Sequence, residues 1–208
     1  MCHQHYTSIP VPHAPTITTF SSYLHTLEYW ESSLLDNIIL HKPIHLIAQY
    51  WLQGMEKIVI ASDGSSSEDD NIMSFGWKIV TSSDKHLAEH SGLAFGHTTS
   101  FWSEGYGLLS VARFLHHGSI YTQTTIQCKV GMHIDNKGIV KCINNQIFYP
   151  HNYPYNTLCP AWDLIAQAAI RLQQYGKRLS INHIKSHQDD DTPEETLNLT
   201  ARLNIAAD

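Results

Sequence analysis

The chain has 208 residues, of which 42% are hydrophobic and 15% charged. A chain of this length and apolarity hides about 70% of its unfolded surface, which excludes general disorder and any need for covalent staples. Thirteen Lys and Arg against nineteen Asp and Glu give a net charge of −6, a balance that argues against a protein gripping many phosphates unaided.

Cys2, Cys128, Cys142 and Cys159 form no C-x-x-C pair, so they read as reduced thiols in an intracellular protein, cytoplasmic or nuclear. Met1-Cys2-His3-Gln4-His5 has neither the basic nor the apolar region of a secretory signal. The most apolar stretch, Leu34 to Leu52, is broken by Asp36, Lys42 and Pro43 and cannot cross a bilayer. A soluble protein with no membrane partner is expected.

Residues 1–19 carry Pro10, Pro12 and Pro15 among Ser, Thr and His, and read as a flexible arm. The thiol and imidazoles of Cys2, His3 and His5 belong to that arm and predict no metal site. Residues 20–56 turn helical: Leu24, Leu27, Trp30, Leu34 and Ile38 recur every three or four positions, and Pro43 opens a second short helix ending near Trp51. This predicts a helical extension packed on a main domain spanning residues 57–208.

That domain begins with three strand candidates, Lys57 to Ser62, Ser74 to Thr81 and His86 to Phe95, joined by short polar turns as in an antiparallel meander. A helix follows from Phe101 to about His117, with Ser100 as its N-cap and His116-His117 at its end, where imidazolium suits the helix dipole. Ile126, Cys128, Val130, Met132 and Ile134 then alternate strictly with polar residues, the clearest strand in the sequence. Helices are predicted over Lys137 to Asn144 and Ala161 to Tyr175, the latter with a stripe of Trp162, Ile165, Ala166, Ala169 and Leu172. A last strand covers Arg178 to Ile184. Thr192-Pro193-Glu194-Glu195 has the cap, proline and capping-box order of a final helix. The element order is that of a mixed α/β domain.

Four carboxylates stand at strand ends and on inward helix faces. Asp63 closes the first strand ahead of a Gly-Ser turn, and Asp135 closes the alternating one. Glu104 shares a helical stripe with Phe101, Leu108, Val111 and Leu115, and Asp208 aligns with Leu197, Ala201 and Asn204. Singly, each has an ordinary structural explanation. Together they are costly, because two carboxylates about 4 Å apart repel by about 4 kcal/mol at an effective dielectric of about 20. Such a cluster calls for protons or hard divalent cations such as Mg²⁺ or Mn²⁺.

The blocks Ile60-Ala61-Ser62-Asp63-Gly64-Ser65, Ser103-Glu104-Gly105-Tyr106-Gly107-Leu108-Leu109, His133-Ile134-Asp135-Asn136, Ile184-Lys185-Ser186-His187 and Leu203-Asn204-Ile205-Ala206-Ala207-Asp208 resemble, in this order, those of type 1 ribonuclease H domains. The variant resembled is the one found downstream of reverse transcriptases in eukaryotic retroelements, and the resemblance covers about residues 57–208. It implies an RNase H-like fold: a mixed five-stranded sheet, three strands antiparallel and then two parallel, flanked by helices. It also implies a metal-dependent endonuclease that hydrolyses the RNA strand of RNA–DNA hybrids with two Mg²⁺ ions, or Mn²⁺ in their place. Asp63 would touch both ions, Glu104 and Asp135 the one that activates water, and Asp208 the other. His187 would assist proton transfer or product release. Gly64, Ser65, Asn136 and Asn204 would lie on the substrate side, and a 2′-hydroxyl requirement would separate RNA from DNA. The implied partners are the hybrid and a linked or separate reverse transcriptase.

The sequence departs from the family where Asn136 replaces a common Ser and Ile205 a common Glu. Between Asn144 and Ala161, Tyr149, Tyr153 and Tyr155 stand in place of a basic helix, which predicts weak hybrid binding without a polymerase partner. Asp208 is the last residue of the sequence, so the expected final helix is cut short at its ligand. The alternative reading is therefore an inactive RNase H-fold scaffold that binds nucleic acid or protein. An exonuclease of this fold would want an acid where Ser65 stands, and an integrase-like order of acids would leave Glu104 unexplained.

Overall fold

The computed structural model describes residues 19–54, 56–67, 69–148, 161–185, 188–190 and 192–208. The predicted arm up to residue 18, the Tyr149–Tyr155 loop and His187 lie outside them. Around one mixed sheet the elements run α1 (Phe20–Leu24), α2 (Tyr29–Leu34), β1 (Ile39–Leu40), α3 (Ile44–Gln53), β2 (Ile58–Ser67), β3 (Ile72–Thr81), β4 (His86–Ala94), α4 (Ser100–Thr122), β5 (Val130–Ile134), α5 (Lys137–Phe148), α6 (Trp162–Leu172), β6 (Leu179–His183) and α7 (Leu199–Ile205). Strand order is β1-β4-β3-β2-β5-β6. β2, β3 and β4 are antiparallel, whereas β5 runs parallel to β2 and β6 parallel to β5.

The expected five strands are present, and a sixth, β1, pairs Ile39 and Leu40 with Glu89 and Ala88 at the β4 edge. Local periodicity assigned this segment to a helix, because its strand partner lies far away in the sequence. β2 is also longer than expected. Its pairing with β3 continues to Ser67 opposite Ile72, so Asp63 and Gly64 lie within a strand rather than at a turn. β5 is shorter. Ile126 and Cys128 are buried, but the amides of Gln127 and Cys128 bond to the Trp51 carbonyl at the end of α3 instead of extending the ladder.

α4 is the central helix, running five residues past its expected end and capped by the Thr99 hydroxyl rather than by Ser100. One face of the sheet, with Ile58, Ile60, Phe75, Trp77 and Ile79, packs in a single core with Leu108, Val111, Phe114 and Leu115 of α4. The other face carries a small cluster of Val59, Ala61, Val80 and Leu203 beneath α7. In α6 the buried stripe is Leu164, Ile165, Ala168, Ala169 and Leu172, while Trp162 is 44% exposed. Thr192-Pro193-Glu194-Glu195 leads into only a 3-10 turn, Glu194–Thr196, and the final helix starts later, capped by Asn198, whose Oδ1 accepts from the Ala201 amide.

Residues 20–53 share the main core: Phe20, Leu24, Leu34, Leu35, Ile47 and Trp51 are all buried in it. Polar contacts fix the same junction. The Leu34 carbonyl accepts from His90 Nε2 and Ser110 Oγ, both at 3.1 Å, and Trp77 Nε1 donates to Ser110 Oγ at 2.9 Å. Glu31 accepts from Arg113 and His117, each at 2.8 Å, and the other ring nitrogen of His117 meets the Tyr23 hydroxyl at 2.9 Å. His117 thus sits one turn inside α4, buried against the extension and not at a helix end. Its neighbour His116 is held neutral, its pKa lowered to about 4 by burial and then by Arg171 and other nearby cations.

Arg113 is 7% exposed, so removing its carboxylate partner leaves a charge with little access to water. Glu31→Ala is expected to cost about 3–5 kcal/mol, read as a lower midpoint in urea unfolding. A loss below about 1 kcal/mol would mean that Arg113 finds equivalent partners elsewhere.

Candidate active site

The register of two strands brings the first pair of acids together. β2 and β5 align Ser62 with Ile134, so the next residues, Asp63 and Asp135, emerge side by side where the parallel pairing ends. Glu104 arrives from the second turn of α4. Gly64 permits that approach, since a β-carbon there would overlap the Glu104 amide nitrogen and the Ser103 backbone. Gly107 has the same role one turn on, against the buried hydroxyl of Ser62.

Asp63, Glu104 and Asp135 each offer a carboxylate oxygen, and these oxygens lie within 4.8 Å of one another. Asp63 is 8% and Glu104 3% exposed, and Asp135 is half-buried. Asp63 Oδ1 accepts from the Gly64 amide at 2.7 Å, and Oδ2 from Asn204 Nδ2 at 3.3 Å. Glu104 Oε2 is buried with no hydrogen-bond partner. Burial pushes the Glu104 carboxyl up to about 11, helped by the neighbouring carboxylates of Asp135, Asp63 and Asp208. Without a cation, Glu104 therefore holds a proton at neutral pH.

An orphaned carboxylate oxygen, buried beside two further carboxylates, is the donor set of a hard divalent cation. The residues fit such an ion.

A cleft of about 440 Å³ opens over the trio. Asp63, Glu104, Asp135, Gly64, Ser65, Asn136 and Asp208, all singled out in the sequence, line it. Asp208 is exposed and stands outside the 4.8 Å group. Asn136 caps α5, its Oδ1 accepting from the amides of Gly138 at 3.0 Å and Ile139 at 3.2 Å. Asn204, expected on the substrate side, is 2% exposed and turned onto Asp63 instead of into the cleft. Sequence reasoning missed Ser66 and Ser100 as lining residues. A serine beside a read motif is too common to be a signal.

No family model matches the sequence, and no curated protein matches it. Among solved structures, LC11 RNase H1, isolated from compost by a metagenomic approach and crystallised with an RNA/DNA hybrid, is 19% identical over 72% of this chain and 93% of that one, at a TM-score of 0.48. The N-terminal RNase H domain of a Mycobacterium tuberculosis protein is 21% identical over 73% and 93% of the two chains, at a TM-score of 0.44. The foamy viral protease-reverse transcriptase, solved with double-stranded DNA, is 11% identical over 76% and 94%, at 0.48. The fold assignment itself rests on topology. Three antiparallel strands, then two parallel ones, with α4 between the two sets, make this an RNase H-like fold with one added edge strand. Among the described residues, no helix is long and apolar enough to cross a membrane.

Proposed function

We propose that this chain is a metal-dependent endonuclease that hydrolyses the RNA strand of RNA–DNA hybrids, derived from a retroelement. The observation that carries the reading is the convergence of Asp63, Glu104 and Asp135 from three separate elements, with a buried Glu104 oxygen left unpartnered. A fold does not need such a group. Removing it from water and leaving it unpaired costs stability unless a proton or a cation completes it.

Asp63, Glu104, Asp135 and Asp208 are the residues that would hold two Mg²⁺ ions, with Mn²⁺ as a substitute. When bound, such ions supply a nucleophilic water at neutral pH and offset charge on the leaving oxygen of an in-line displacement at phosphorus. The protein's own residues do the rest. Asp63, held by Gly64 and Asn204, and Asp135, fixed beside the α5 cap, keep the two strand-borne carboxylates in place before substrate arrives. Ser65 and Asn136 line the cleft and would meet the sugar–phosphate backbone. His187 is assigned the assisting role in proton transfer or product release. The net charge of −6 makes unaided hybrid binding weak, and a linked or separate reverse transcriptase domain would supply the missing affinity.

The test is cleavage of end-labelled substrates by the purified chain. Mg²⁺- or Mn²⁺-dependent cutting of the RNA strand in a hybrid is expected, with RNA fragments bearing 5′-phosphates and with double-stranded DNA untouched. Hybrid cleavage that persists in EDTA would overturn the proposal.

A further inference from the structure

α7 crosses one face of the sheet and ends against β3. Gly76 lies in β3, directly across the ladder from Asp63. A β-carbon at Gly76 would overlap the Ala207 carbonyl oxygen and come within 3.1 Å of its carbon. The contact is backbone on backbone, so no side-chain rotation could relieve it. Only a shift of the helix end or of the strand could. The residues carried by that helix end are Asn204, which donates to Asp63 from a buried position, and Asp208, whose amide bonds to the Asn204 carbonyl at 3.2 Å.

We propose that Gly76 and Asn204 are positioning residues for the acidic site. The bare backbone of Gly76 seats the Ala207 carbonyl, and the helix so seated delivers the Asn204 amide to Asp63 and the Asp208 carboxylate to the cleft. Neither residue touches substrate. Asn204 fixes one Asp63 oxygen, and Gly76 fixes Asn204.

Gly76→Ala in the full chain tests this by nuclear magnetic resonance. The Asn204 side-chain amide signals are expected to move to the position of a solvated asparagine, while backbone signals of β2, β4 and α4 stay dispersed. Unchanged Asn204 signals would overturn the proposal. Should the variant not fold, the wild-type chain decides. Cross-relaxation between Gly76 Hα and Ala207, together with slow exchange of the Asn204 side-chain amide, is expected, and the absence of either refutes it.

A second arm rests on the proposed metal-dependent function. Asn204→Ala should weaken Mn²⁺ binding about tenfold by calorimetry, the usual size for losing a group that orients a ligand. The thermal midpoint in EDTA should fall as well, since a buried hydrogen bond is lost, so affinity is measured at a temperature where the variant is folded. Wild-type affinity in Asn204→Ala would remove Asn204 from this role. If the wild-type chain binds no Mn²⁺ at all, the proposed function fails, while the resonance experiment still decides the seating of α7.

Discussion

Asp135→Asn is expected to lower metal-dependent hybrid cleavage by on the order of a thousandfold, about 4 kcal/mol of barrier, while leaving the fold intact. Asp135 is half-buried and ends the parallel register, and its replacement has the same shape. It also deletes one of the negative charges that press on Glu104. The thermal midpoint in EDTA should therefore equal or exceed that of the wild type, so lost activity cannot be blamed on unfolding. Asp63→Asn should be equally inactive and less well tolerated. Asp63 accepts from both Gly64 and Asn204, and a side-chain amide must turn an N–H toward one of those two donors. Cleavage by Asp135→Asn within tenfold of wild type would sink the assignment of this acid to the metal site.

Glu104→Gln should raise stability and abolish cleavage together. In the metal-free chain the Glu104 carboxyl titrates near 11 against an ordinary value of 4.5. Between these values the folded chain holds one proton more than the unfolded chain, so stability falls as pH rises, at up to about 1.4 kcal/mol per pH unit. Glutamine has no proton to lose. In EDTA, the thermal midpoint of Glu104→Gln should change by several degrees less than wild type from about pH 5.5 to about pH 8.5. Saturating Mg²⁺ should flatten the wild-type curve as well, because cation binding takes the deprotonated form. Parallel midpoint curves for variant and wild type in EDTA would show that Glu104 does not carry the pH dependence.

Much of this site was legible because its signals are local. The stripe of Glu104 with Leu108, Val111 and Leu115 follows from helical period alone, and α4 does turn that face inward. Asp135 was legible from the alternation that precedes it. The misread features all depend on partners distant in sequence. Asp63-Gly64-Ser65 has the composition of a turn, yet ten residues of β3 hold it in a strand. Ile39 and Leu40 follow directly on the helical stripe that ends at Ile38, yet β4 offers them a ladder, and Asn37 takes a positive φ of 63° just before they enter it. At the end of the chain two capping signals compete. Asn198 wins over Thr192, and Arg202, in the α7 that follows, reaches Asp84 at 3.0 Å. Asn204 was found by its place in a motif, but its work is visible only once the distance to Asp63 is known.

The smallest element, β1, carries a consequence for how the molecule behaves in company. β4 would otherwise present an open flank of nine residues with unpaired amides and carbonyls, a template for pairing with another chain. Two residues from the extension sit at the middle of that flank and break its continuity. Ile39→Pro, at a position 53% exposed, removes a ladder donor and leaves the buried residues of the extension in place, and it should therefore promote self-association through β4, with a rise in thioflavin fluorescence and in light scattering that the wild-type chain does not show. The short strand acts as a guard on solubility as much as a part of the sheet.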